Sequence, residues 1–237
     1  MTALTWSVKG IEGRRSWVPV ALAALGGKLH MVQVGERTDD LYHSFWPDDD
    51  RDWSRNDKMN RRFSPIAPGL ATLGNQLHMV QVGEGTNDLY HSSWPDDRGK
   101  WSAPDKMDRR SWVSPALAAL GGKLHMVQVG ERTNDLYHSS WPDDDEEWSR
   151  SHKLELTSSV PVALAVVGNR LRLVQRGLNS NQLYYASSQD GVHWSTEKVG
   201  NQTSQDAPAL AAIGNRLHLV YIGESSPQLY HSMATVS

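Results

Sequence analysis

The chain has no cysteine, which excludes disulfides, thiolate metal sites and a cysteine nucleophile. It has only two Phe beside ten Trp and seven Tyr, so its aromatic content is almost wholly of the kind with a polar edge. No run approaches the 18 apolar residues that a membrane-crossing helix needs, so no membrane insertion is expected. Charge of one sign is lacking too: 24 Lys+Arg stand against 27 Asp+Glu, a net charge of −3. That balance argues against a general nucleic-acid binder, which needs a basic face. The start MTALTWSVKG has neither a basic nor an apolar leader region, so the expected location is the cytoplasm, or release without a signal peptide. Gly-rich phosphate loops, nucleophile elbows and metalloprotease helices are also missing.

What is present is repetition. Leu-Tyr recurs at Leu41, Leu89, Leu136, Leu183 and Leu229, at spacings of 48, 47, 47 and 46 residues. A glycine precedes each by six residues (Gly35, Gly83, Gly130, Gly177, Gly223), and Trp-Ser recurs at Trp6, Trp53, Trp101, Trp148 and Trp194. Residues 14–50 and 109–145 differ at only four of 37 positions, while the fourth and fifth copies have diverged.

Each copy reads as four short strands with Gly, Pro, Asn and Asp at the joints. In the third copy they are Pro115–Leu120, Lys123–Val129, Leu136–Trp141 and a strand beginning near Trp148. No sustained 3.6-residue period appears, so the chain reads as all-β. Four strands in 40–50 residues is the signature of a propeller blade. The expectation is one five-bladed β-propeller over 1–237, with blades near 16–60, 64–108, 112–156, 159–200, and 206–237 plus 1–12. The N-terminal strand would complete the last blade and close the ring.

The stretch Gly122–Gly130 through Leu136–Trp141 resembles the repeat of bacterial propeller lectins of the Photorhabdus type. Those blades carry a similar Gly-basic-Leu strand and a Leu-aromatic-His segment followed by Trp. The five-bladed count is similar in architecture to tachylectin-2. The resemblance implies monosaccharide sites in clefts between blades. It does not extend to sugar identity, because His78 and Val82 stand where that family has charged side chains.

One face of such a ring collects the loops from second to third strand and the blade-to-blade connections. On it fall Arg15, Trp17, Glu36, Arg62, Phe63, Glu84, Arg110, Trp112 and Glu131. An aromatic plate beside Arg and Glu suits a pyranose, whose C–H face stacks while its hydroxyls bond charged groups. The opposite face offers Trp46, Trp94 and Trp141 in Trp-Pro-Asp turns as second candidates. There the fourth copy reads Ser188-Gln-Asp-Gly-Val-His-Trp194, which resembles the structural Asp-box turn of sialidases. Histidines pair as His30/His43, His78/His91, His125/His138 and His218/His231, expected opposite one another across a hairpin. Arg172 and Tyr185 replace them in copy four, so hydrogen-bonded pairs are expected rather than a metal site.

Nearly every carboxylate has copies in other blades, whereas glycoside hydrolysis needs a unique pair. The expectation is a multivalent lectin, not an enzyme, that binds glycans or glycoconjugates without cofactor or metal. The alternatives are a sialidase-like glycoside hydrolase and a designed or reconstructed repeat scaffold without a native ligand.

Overall fold

A computed structural model describes residues 7–16, 18–36, 38–47, 52–94, 101–130, 133–142, 148–224 and 228–236, the side chains of 7–15, 60–61, 108–109 and 142 excepted. The described residues form twenty strands in five antiparallel four-stranded sheets. Blade one holds β2 (Ala21–Leu25), β3 (Lys28–Val34), β4 (Asp40–Trp46) and β5 (Asp57–Phe63). Blade two holds β6 (Gly69–Leu73), β7 (Gln76–Val82), β8 (Asp88–Trp94) and β9 (Asp105–Arg110). Blade three holds β10 (Ala116–Leu120), β11 (Lys123–Val129), β12 (Asp135–Pro142) and β13 (His152–Thr157). Blade four holds β14 (Ala163–Val167), β15 (Arg170–Arg176), β16 (Gln182–Ser188) and β17 (Ser195–Thr203). In blade five, β18 (Ala209–Ile213), β19 (Arg216–Ile222) and β20 (Gln228–Thr235) are completed by β1 (Ser7–Arg15), which pairs with β20. The ring is thus a five-bladed propeller closed by its N-terminal strand. No helix in it is long and apolar enough to cross a membrane.

Burial explains why the repeat is kept. Leu29, Leu77, Leu171 and Leu217 are fully buried and Leu124 nearly so, one on the second strand of each blade. Each contributes about 1.5–3 kcal/mol by leaving water. The cores lie between blades: Leu22, Leu29 and Met31 of blade one pack with Ala211 and Val220 of blade five, and the pattern continues around the ring. A buried serine opens each described connection between blades and donates to the carbonyl two residues on, as Ser158 Oγ does to Val160 O at 2.6 Å. That bond sets the entry into each inner strand.

The recurring glycine also has a physical cause. A Cβ on Gly130 would lie 2.5 Å from the Tyr137 ring, so the Tyr of each Leu-Tyr pair folds over its own glycine. Gly69 is a different case, because the equivalent positions hold Ala21, Ala116, Ala163 and Ala209. There a Cβ would collide with the Pro115 carbonyl oxygen of the next blade. Restoring the repeat with Gly69→Ala is therefore expected to destabilise the protein by about 1–3 kcal/mol. Urea unfolding of the variant beside wild type measures it, and an unchanged midpoint would contradict the close approach.

The histidine pairs are hydrogen-bonded, with Nδ1···Nε2 distances of 2.9 to 3.0 Å. They are diagonal across the hairpin rather than directly opposite: His125 faces Ser140, and Val127 faces His138. The diagonal arises because the loop between the two strands shifts the register by two residues. The Asp-box segment is a turn tied to itself, with Asp190 Oδ1 accepting from the N–H groups of Val192 (2.8 Å) and His193 (2.9 Å).

Candidate functional site

Loops from second to third strand and blade-to-blade connections share one face, as Ser64 N to Asp39 O and Ser204 N to Asn181 O bonds show. On this face Phe63 and Trp112 are half exposed, at 50% and 49%, and Glu36, Glu84 and Arg110 are exposed. Trp17, Glu131 and the side chain of Arg15 lie outside the described residues. Phe63 does not share the Trp112 position. It pairs with Asp40 as Arg110 pairs with Asp88, and Pro65 is the counterpart of Trp112. Arg110 is held by Asp88 (Nε to Oδ1, 3.2 Å), which also binds Lys106 at 2.9 Å. Those two cations keep the Asp88 carboxyl below its ordinary range, the Lys106 hydrogen bond foremost.

Arg62 is buried. From the end of blade one its guanidinium donates to Ser92 Oγ (2.9 Å) and Ser102 O (2.6 Å) in blade two, over the Trp101 ring. It is a tie between blades, beyond the reach of a ligand. The second set of candidates is also turned inward. Trp46 is 7% exposed and packs on His218 and His231 of blade five, with centroids at 5.2 and 5.7 Å. Trp94 sits edge-on to His43 of blade one at 5.2 Å. Trp141 joins the apolar core between blades two and three. These rings close clefts because the third strand aims them at the preceding blade.

The residues that break the repeat converge elsewhere on the first face. At the end of β15 stands Arg176, where the other copies have Val34, Val82, Val129 and Ile222. Its Nη1 donates to Gln205 O (2.9 Å) and Asn181 Oδ1 (3.3 Å), and its Nη2 to Ser159 Oγ (3.0 Å). Its Nε is buried without a hydrogen-bond partner among the described residues. Asn181 Nδ2 donates in turn to Glu224 Oε1 at 2.8 Å. Beside them Asp206 stands where the other connections carry Val18, Ile66, Val113 and Val160. Ser204 fixes its backbone through Oγ to Asp206 O at 2.6 Å. The next residues, Ala207 and Pro208, line the axial channel.

The two carboxylates have opposite environments. Burial raises the Asp206 carboxyl above its ordinary range, against the opposing Ala207 N–H and Arg176 charge. Glu224 is exposed, and hydrogen bonds from Asn181 and Thr203 lower it. One carboxyl raised above its ordinary range and another lowered below it, linked through Arg176 and Asn181, is a pattern that acid–base work uses. Of the two, Glu224 recurs as Glu36, Glu84 and Glu131, and Asp206 alone departs from the repeat, which is its signal in the sequence. Among the described residues no group of three metal-ligating side chains converges.

No protein-family model matches the chain, and no curated protein matches it. Solved structures do. The catalytic domain of the GH62 α-L-arabinofuranosidase of Coprinopsis cinerea superposes with a TM-score of 0.66 at 12% identity, covering 98% of this chain and 97% of that one. The GH43_1 enzyme of Xanthomonas citri, complexed with xylose, gives 0.69 at 9% identity over 97% and 90%. The α-L-arabinofuranosidase PaAbf62A of Podospora anserina, in complex with cellotriose, gives 0.64 at 11% over 99% and 97%. The fold is one that carbohydrate-active enzymes use.

Two expectations are corrected by this. The lectin resemblance holds for the five-bladed architecture, while the similar solved structures are glycoside hydrolases. The expectation that the chain is not an enzyme is overturned by the same likenesses, which span nearly its full length. Nearly every carboxylate is repeated, and Asp206 is an exception.

Proposed function

We propose that the protein is a glycoside hydrolase whose site lies on the face of blades four and five. The observation that carries this is the non-repeated Asp206, with its raised carboxyl, beside the Arg176–Asn181–Glu224 chain of hydrogen bonds. The hydrolase propellers of the same architecture support it. In this reading Asp206 gives its proton to the glycosidic oxygen as the bond to the anomeric carbon breaks. Glu224, ionised, faces the oxocarbenium charge and takes the proton of the incoming water. Arg176 holds the connection that carries Asp206 and limits how far burial raises it. Substrates follow from the neighbours, which include arabinofuranosidases and a β-xylosidase. The test is release of nitrophenol from aryl arabinofuranosides and xylosides, of pentose from arabinoxylan, and of sialic acid from an aryl sialoside. No release from any of them would reject the proposal.

Glycan binding by the first three blades is a second reading, supported by the half-exposed Phe63 and Trp112 and the exposed Arg110 and Glu84 on the same face. Trp112→Ala is then expected to weaken retention on a glycan matrix by about 0.5–1.5 kcal/mol of stacking, with the melting temperature unchanged. Equal retention would remove Trp112 from the binding surface.

A further inference from the structure

One cleft between blades is built unlike the others. The third strand places Trp46, Trp94 and Trp141 opposite Leu29, Leu77 and Leu124, and the corresponding residues of blades four and five are Ser188 and Ala234. Trp46 and Trp94 each cover the histidine pair of the preceding blade. Over the pair of blade three the Asp-box turn does this instead, since a Cβ on Gly191 would lie 2.6 Å from His138 Nε2. At the tryptophan position blade five has only the small Ala234. In blade four the pair itself has changed to Arg172 and Tyr185, joined from Nη1 to the phenol oxygen at 2.5 Å.

The result is a cleft of about 430 Å³, with Val167, Gly168 and Val236 as apolar walls and Arg170 and Arg172 as cations. Arg172 Nε is buried in it with no hydrogen-bond partner among the described residues. The acidic groups nearby do not neutralise it by contact: Glu197 is exposed on β17 opposite Tyr185, and Asp190 is held by His193 at 2.7 Å. With Nη1 held by Tyr185 and Nε unpartnered, this guanidinium is a cation in the cleft wall of the kind that carboxylates match. The strand position that carries an indole ring in blades one and two carries only a methyl group, that of Ala234, in blade five.

We propose that this cleft binds one small aromatic carboxylate, its carboxylate on Arg172 and its ring between Val167 and Val236. The site is independent of the hydrolase reading and lies on the opposite face of the ring. Titration of the full chain with indole-3-acetate by calorimetry tests it, with indole and glucuronate as comparison probes. One indole-3-acetate per chain is expected. Arg172→Met is expected to weaken it tenfold to a hundredfold, as for loss of a hydrogen bond to a charged group. Arg172→Lys, which keeps the charge and loses the planar fork, falls between. The melting temperature of each variant establishes that it is folded. Absence of binding to wild type, or unchanged binding to folded Arg172→Met and Arg172→Lys, would overturn the proposal. Glucuronate binding as tightly would overturn the aromatic part, and indole binding as tightly the carboxylate part.

Discussion

Taken from pH 7 to pH 4, the protein is expected to lose several kcal/mol of stability and to unfold near the lower end. The cause is the histidine pairs. In each pair one imidazole N–H donates to the unprotonated nitrogen of the other at about 3 Å, so a second proton destroys the bond it would join. Burial lowers His43, His91 and His125, and takes His138 to about 4 and His218 to about 3. The unfolded chain binds these protons near pH 6.5 and the folded chain does not. Stability is therefore fully present above 6.5 and declines as pH falls toward the folded values.

At about 1.4 kcal/mol for each unit, His138 and His218 alone each cost about 3 kcal/mol at pH 4. A typical domain has about 5–15 kcal/mol in all. Asp88 and Asp190 act in the same sense, but their carboxyls lie below the ordinary range, so their share is lost mainly below pH 4. His193, raised by Asp190, acts oppositely and is exposed. Urea midpoints at pH 7.5, 6, 5 and 4 measure the slope. A midpoint constant from 7.5 to 4.5 would mean that the pairs are not neutral in the folded protein.

The second large effect is on catalysis. Asp206→Asn and Glu224→Gln are each expected to lower kcat/KM on an activated glycoside by about 10²–10⁴, the range for removing a general acid or base. KM should move little, because neither change removes a binding surface. The pH profile separates the roles. Asp206 must hold its proton, so activity falls as pH rises through its raised value, and that limb disappears in Asp206→Asn. Arg176→Met removes the charge that opposes the rise, and should move the alkaline limb upward. The acid limb is different, because unfolding through the histidine pairs intervenes before Glu224, lowered by Asn181, takes up a proton. Full activity in Asp206→Asn would assign the chemistry to other residues.

The five-fold repeat was legible because its causes are local. Alternating strands such as Lys123–Val129, turn residues and the glycine under each Tyr depend on a few neighbours in sequence. Ring closure followed from counting strands, since an orphan strand at one end matches a missing one at the other. Side-chain destinations were not legible in the same way. Trp46 and Trp94 read as exposed turn residues because nothing local says that the preceding blade covers them, and Arg62 reads as a ligand group although its partners are 30 and 40 residues away. The repeat itself concealed Asp206 and the arginine beside it. Attention to what recurs passes over Arg176 and Asp206, each a polar residue where the other copies are aliphatic. The sequence alone determined the architecture, because strand pattern and turn chemistry act within one blade. Only the tertiary structure decided which polar residues meet, because burial, hydrogen bonding and the separation of two carboxyl environments arise where one blade packs against the next.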